Sequence, residues 1–177
     1  MKNKVFIACS IDGYISDVKN SLEWLNSIPN PEQNDMGYAS FMTNVDAIIM
    51  GRKTYETIAK MDIEWPYAVP VFILSRRLTS VLPNLNAQIE LMKGSPNNIL
   101  QTIRSKGYNQ LYIDGGNTIQ QFLSYDLIDE LTITTMPLLL GGGSPLFGPL
   151  INPLHFELVK SEVFLSQIVQ STYTRKR

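Results

Sequence analysis

The stretch IIMGRKTYETI, Ile48–Ile58, decides how this chain is read. Ile48, Ile49 and Met50 continue an apolar run that begins at Ala47 and stops at Gly51. Two cations follow, Arg52 and Lys53, and from Thr54 the pattern turns helical. A strand that passes into a helix in this way sets unpaired N–H groups and the positive end of a helix dipole beside two cations. That combination suits an anion. Alone it is weak, because most strand–helix junctions bind nothing. GRKT also lacks the earlier glycine of a P-loop, since residues 46–50 are DAIIM.

Working outward, the same strand–helix alternation recurs. VFIACS (Val5–Ser10), VPVFILS (Val69–Ser75), QLYIDGG (Gln110–Gly116) and ELTITTMPLLLGGG (Glu130–Gly143) are short, apolar and rich in β-branched residues, so they predict strands. Their continuous apolarity predicts strands covered on both faces, as in a parallel sheet. Helices are expected over Thr54–Lys60, after a cap at Ser95 or Asn97 as far as Gly107, and from Asn117 through Ile128. The tail from His155 predicts two antiparallel strands. The sum is an α/β fold with a mostly parallel sheet and antiparallel C-terminal strands, in one domain over residues 1–177. Leu25–Asp35 is expected to be a loop or the approach to a helix, and Gly141–Pro145 a flexible turn.

Composition removes several function classes. The net charge is −1, which gives no global basic field for nucleic acid. No apolar run reaches the roughly 20 residues of a membrane helix, so no membrane partner is expected. The basic tip before Val5 reads as the start of a strand rather than a signal peptide. The single cysteine, Cys9, fits a reducing, cytoplasmic setting. The single histidine, His155, leaves no zinc cluster and no obvious Ser-His triad, so no metal is expected. It reads as a strand-edge residue. Chemistry is left to carboxylates, hydroxyls, cations or a borrowed cofactor.

In open α/β sheets ligands bind beyond the carboxyl ends of parallel strands. Four such ends here carry Asp12-Gly13, Gly51-Arg52-Lys53-Thr54, Ser75-Arg76-Arg77 and Asp114-Gly115-Gly116-Asn117. Glycine allows close backbone approach, and Arg can grip a phosphate with two bonds. Two helix starts and these cations suit a diphosphate and one further phosphate, as in a dinucleotide with a 2′-phosphate. The G-x-G-x-x-G fingerprint is absent.

The segments MGRKTYETI, VFILSRR, YIDGGNTIQQFL and ELTITTMP together resemble the dihydrofolate reductase fold. SIDGYIS, LIDELTI and PLLLGGGSPLF resemble more closely the C-terminal reductase domain of the bifunctional riboflavin-biosynthesis deaminase/reductase and its free-standing bacterial relatives. The match runs through nearly the whole chain in order. It implies a three-layer fold, helices on both faces of the sheet, and NADPH as cofactor. By this resemblance Arg52, Lys53 and Thr54 meet the cofactor's phosphates and the nicotinamide-side backbone, with Gly51 before them. Ser75 and Arg76 hold the adenosine 2′-phosphate. Asp114, Gly115, Gly116, Asn117 and Thr118 form the diphosphate loop, and Ala8 flanks the cofactor on the first strand. The Gly-Gly bond is commonly cis in such reductases, and relatives of the riboflavin type often pair as homodimers.

A reductase also needs a proton source. Asp12, Glu23, Glu32 and Asp35 are candidates. An ungapped count against the dihydrofolate reductase pattern puts Asp35 at the acid, Tyr38 one turn along and Thr134 as the acid's partner; water is the alternative donor. Trp24 and Tyr38 are expected in the substrate pocket. Two departures limit the substrate. Val69 stands where the folate-clamping arginine falls, which weakens dihydrofolate as substrate. Phe6 stands where riboflavin-type domains carry a lysine. The nominal family reaction reduces 5-amino-6-(5-phosphoribosylamino)uracil at its ribose carbon. No dedicated cation for that phosphate is evident; the Gly141–Gly143 amides could assist as a nest, and a smaller, unphosphorylated acceptor is also open. Dihydrofolate reduction and a non-catalytic NADP-binding role are the rival readings.

Overall fold

The computed structural model describes residues 1–61, 63–81 and 89–177. Along the chain come β1 (Lys2–Ser10), β2 (Tyr14–Ser16), a 3-10 turn (Glu23–Asn26), α1 (Tyr38–Met42), β3 (Ala47–Gly51), α2 (Arg52–Ala59), β4 (Val71–Leu74) and β5 (Ile89–Met92). Then follow α3 (Pro96–Ser105), β6 (Gln110–Asp114), α4 (Gly116–Ser124), β7 (Glu130–Met136), β8 (Ser144–Pro145), β9 (Phe156–Phe164) and β10 (Ile168–Arg175).

Eight strands form one sheet in the order β5-β4-β3-β6-β1-β7-β10-β9, and β2 pairs with β8 in a separate ribbon. Pairing is parallel from β5 to β7 and antiparallel in β10 and β9. This is a mostly parallel, dihydrofolate reductase-like sheet with antiparallel C-terminal strands. Alternation along β3 divides the core between two layers. Ala47 and Ile49 pack with Ile99, Ile103, Ile119 and Phe122 of α3 and α4. Ile48 and Met50 pack with Tyr55 of α2 and Tyr38 and Phe41 of α1. Helices therefore cover both faces, and the central strands read as unbroken apolar runs because both of their sides are buried.

Several boundaries differ from the sequence reading. β7 stops at Met136 because Pro137 has no N–H to continue a ladder. The following Leu-rich stretch is loop, and Leu139 is exposed. α2 and α4 begin at Arg52 and Gly116, directly on leaving their strands. β5 was not expected: its IELM sequence is short and interrupted by a charge. The two C-terminal strands form as expected, with His155 exposed just ahead of β9 and its carbonyl accepting from Arg175. Among the described residues no helix is long and apolar enough to cross a membrane.

Candidate functional site

The parallel strands β4, β3, β6 and β1 all run the same way, so the segments that follow them meet along one edge. They enclose a groove of about 750 Å³, within the roughly 300–1,000 Å³ typical of small-molecule sites. Ala8, Gly51, Arg52, Lys53, Thr54, Ser75 and Arg76 line it, together with Asp114, Gly115, Gly116, Asn117 and Thr118. Twelve residues from separate parts of the sequence thus share one cavity. Its far rim is the β2–β8 ribbon, through Ile15, Ser16, Ser144 and Pro145.

Two helices start in this groove, and neither start is capped by a side chain. α3, which starts elsewhere, is capped in the ordinary way: Ser95 accepts from the Asn98 N–H. The first-turn N–H groups of α2 and α4 therefore lack the side-chain acceptor that such groups usually find. The junctions also pack tightly on each other. A β-carbon on Gly51 would lie 2.9 Å from Thr118 Oγ1, and one on Gly115, where φ is +87°, would lie 2.2 Å from Thr54 Oγ1. Glycine lets the two helix starts approach and leaves their backbone bare.

Cationic charge gathers at the tips of β3 and β4. Arg52 donates two bonds to Glu56 at 2.7 and 2.9 Å, which aligns its guanidinium along α2. Lys53 and Arg76 are exposed. Buried Ser75 accepts from the Arg77 and Leu78 N–H groups at 3.1 and 2.8 Å, so its hydroxyl shapes the turn that carries both arginines.

Toward β6 and β1 the groove is aromatic and acidic, with Asp114 paired beside Met50 of β3 and directly ahead of the α4 start. Asp114 accepts from the Gly115 N–H at 2.8 Å. Burial of its carboxyl pushes its pKa up to about 6, against the pull of the Gly115 and Tyr112 hydrogen bonds. Burial, with the Asp114 charge second, pushes the Tyr38 phenol up to about 12 and Tyr67 and Tyr112 higher still. Asp114 thus keeps its proton to a higher pH than an ordinary carboxyl, and its charge is felt by three phenols.

Four other expected site residues lie outside the groove lining. Asp35 is exposed and accepts from the Gly37 and Ala39 N–H groups at 2.9 and 2.8 Å. Those bonds hold its carboxyl below the usual range, as in a helix-capping aspartate rather than a proton reservoir. Thr134 is buried beside Ala8, but its hydroxyl accepts from Gln170 at 2.9 Å and makes no bond to Asp35. Tyr38 packs edge-on against Phe6, behind the lining. Trp24 is half-buried in the 3-10 turn, with its indole N–H sequestered and unpartnered. Glu23 and Glu32 are exposed, and Asp12 is tied into a loop by Ser10, Leu140 and Gly141. No peptide bond among the described residues is cis, Gly115–Gly116 included.

Gln170 escaped the sequence reading. Its amide joins Thr134 to the Met36 carbonyl at 3.0 Å and so fastens the loop before α1 to β7. A single glutamine in a C-terminal strand carries no sequence signal for this. The Asp114 side chain was read only as part of a phosphate loop, because its desolvation in the folded groove cannot be seen along the chain.

Comparison with known proteins agrees with this geometry. A family model described as the RibD C-terminal domain matches residues 4–170. The uncharacterized Bacillus subtilis protein YwjB is 30% identical over 183 residues, covering 98% of each chain. A crystal structure from Shewanella sp. PV-4, of a protein provisionally described as a riboflavin biosynthesis protein, is 50% identical over the full length of both chains, with a TM-score of 0.97. Dihydrofolate reductase from Enterococcus faecalis, complexed with NADP(H) and RAB-propyl, shares the fold at 15% identity and a TM-score of 0.64, covering 99% of this chain and 97% of its own.

Proposed function

Because this chain belongs to the RibD C-terminal domain family, we propose that it is an NADPH-dependent reductase of the 5-amino-6-(5-phosphoribosylamino)uracil reductase type, acting on a pyrimidine- or pterin-like acceptor. The observation that carries this reading is the pair of uncapped helix starts facing one groove beside Arg52, Lys53 and Arg76. They fit the cofactor's diphosphate, and Arg76 with Ser75 fits its 2′-phosphate.

NADPH, when bound, supplies a hydride to the acceptor. The protein's part is placement and the proton. The α2 and α4 N–H groups and the glycines hold the diphosphate. Ala8 and Ile15 line the groove and would flank the reacting end, positioning it against the acceptor. Asp114 holds a proton below about pH 6 and passes it to the nitrogen or oxygen next to the reduced carbon. Its carboxylate then recovers a proton from solvent. We assign this role to Asp114 in place of Asp35, which is exposed and held ionised by the start of α1.

Dihydrofolate is disfavoured: Val69, at the expected clamp position, packs beneath the aromatic layer and offers no charge. A homodimer is the oligomer we propose, formed through the outer sheet face. Leu158, Val159 and Val163 of β9, the last strand of the sheet, are 60%, 62% and 65% exposed. Sedimentation of Val163→Glu as a monomer would support this face; an unchanged dimer would move the interface elsewhere.

The deciding experiment follows near-ultraviolet absorbance of NADPH against pyrimidines, pterins and small carbonyls, after calorimetric titration with NADP⁺. Absence of NADP⁺ binding would end the reductase reading. Binding without oxidation of any acceptor would favour the non-catalytic role.

A further inference from the structure

We propose that the acceptor is a flat, uncharged ring compound that carries no phosphate, bound against the Phe6–Tyr112 wall with its polar edge on Asp114. The inference rests on the NADPH reading; it keeps the reductase chemistry of that reading and departs from its phosphoribosyl acceptor.

Charge is divided unevenly along the groove. The cations that line it are Arg52, Lys53, Arg76 and Arg77, all at the tips of β3 and β4. Those are the positions the cofactor's own phosphates take. On the β1 side the lining includes Phe6, Ala8, Leu22 and Leu25 and, among the described residues, no cation, while Asp114 stands between this side and the β3 tip. A substrate phosphate placed there would lose water, meet no lining cation and face a carboxyl group. Burial of an unneutralised anion is strongly unfavourable.

The glycine-rich loop offers no ready substitute. The Leu140 and Gly141 N–H groups donate to the Asp12 carboxylate at 3.1 and 2.7 Å. The start of that loop therefore already has its anion, one belonging to the protein itself.

The wall is built for a ring. Phe6 is braced by Tyr38 and Phe41, with centroids 5.6 and 5.0 Å away. Phe41 stands edge-on to Tyr112 at 5.1 Å, and the Tyr112 hydroxyl donates to the Phe6 carbonyl at 2.9 Å. Tyr112 is 5% exposed and backs the wall from within, so the surface offered is that of the braced, partly exposed Phe6, which favours a planar partner at little cost in ordering.

The test uses wild-type protein saturated with NADP⁺ and three probes: 5-amino-6-ribosylaminouracil, its 5′-phosphate, and lumazine as a bare ring. Dissociation constants come from calorimetry, and turnover of the first two with NADPH from absorbance. We expect the unphosphorylated nucleoside to exceed its phosphate at least about tenfold in affinity, and in kcat/KM where turnover occurs; lumazine binding alone of the three also supports the proposal. Equal or tighter binding of the phosphate overturns it, as does failure of all three to bind. Loss of NADP⁺ binding itself would instead strike the reductase reading. A second arm compares Phe6→Lys with Phe6→Leu, both checked for folding by circular dichroism. Only the lysine variant should shift preference toward the phosphate, by about tenfold or more. The same shift in both variants, or in neither, counts against the proposal. Failure of the lysine variant to fold leaves the wild-type comparison to decide.

Discussion

Thr54 Oγ1, in the first turn of α2, lies 2.2 Å from where a β-carbon would stand on Gly115, which opens α4. Gly51 and Thr118 repeat the relationship in reverse at 2.9 Å. Each helix start thus carries a threonine that fills the space left by the other's glycine. This interlock sets the spacing of the two uncapped helix starts on which the diphosphate reading depends.

Gly115→Ala should therefore weaken NADP⁺ binding at least tenfold and destabilise the protein by about 1–3 kcal/mol, through overpacking and a side chain forced to positive φ. Adding Thr54→Ala should recover part of the loss, because it removes the clashing hydroxyl. Thermal unfolding and calorimetry of the single and double variants give the coupling, expected at roughly 0.5–3 kcal/mol. Strictly additive effects would mean that the two residues do not share a contact.

Arg76→Ala should cost NADPH affinity at least about tenfold while leaving NADH within about twofold, since only NADPH brings a second charged group to the β4 tip. Equal losses for both cofactors would remove Arg76 from the 2′-phosphate.

Asp114→Asn separates stability from activity by pH. The folded pKa, about 6, lies above the ordinary carboxyl value of 3.8. A raised pKa means stability that is fully present below the ordinary value and lost as pH rises through the folded one. Asparagine never ionises, so the variant should match wild type near pH 4 and exceed it above pH 6 by on the order of 2 kcal/mol. Turnover should fall about 100-fold, and the decline of wild-type kcat above pH 6 should vanish. A variant that keeps both its rate and its falling limb would clear Asp114 of proton donation.

Asp35→Asn and Asp35→Ala should leave kcat within about twofold, a change too small for a group that transfers a proton in the rate-limiting step. Alanine, which cannot accept from the Gly37 and Ala39 N–H groups, should lower Tm slightly. The stabilising bonds favour the carboxylate, so this contribution is present above the ordinary carboxyl pKa and fades as pH falls through the lowered one. A 100-fold loss of turnover in Asp35→Asn would return the acid to Asp35.

The sequence by itself determined the alternation of strands and helices and the contents of the strand tips. Apolar runs bounded by Gly51, Ser75 and Gly115 place those residues at strand ends, and parallel strands bring such ends to a common edge. Eleven lining residues, Gly51–Thr54, Ser75, Arg76 and Asp114–Thr118, were legible for that reason, each ending its strand or following it within a few peptide bonds; Ala8, inside β1, came from the resemblance alone. Only the tertiary structure decided which carboxyl is drawn away from water. Asp35 and Asp114 are alike as residues, and they differ because the Gly37 and Ala39 N–H groups hold one at the surface while desolvation dominates at the other, half-buried beside Tyr112. The same holds for the Thr54–Gly115 interlock and the Gln170 bridge. Proton affinity and close packing depend on neighbours remote in sequence, and those neighbours meet only when the chain has folded.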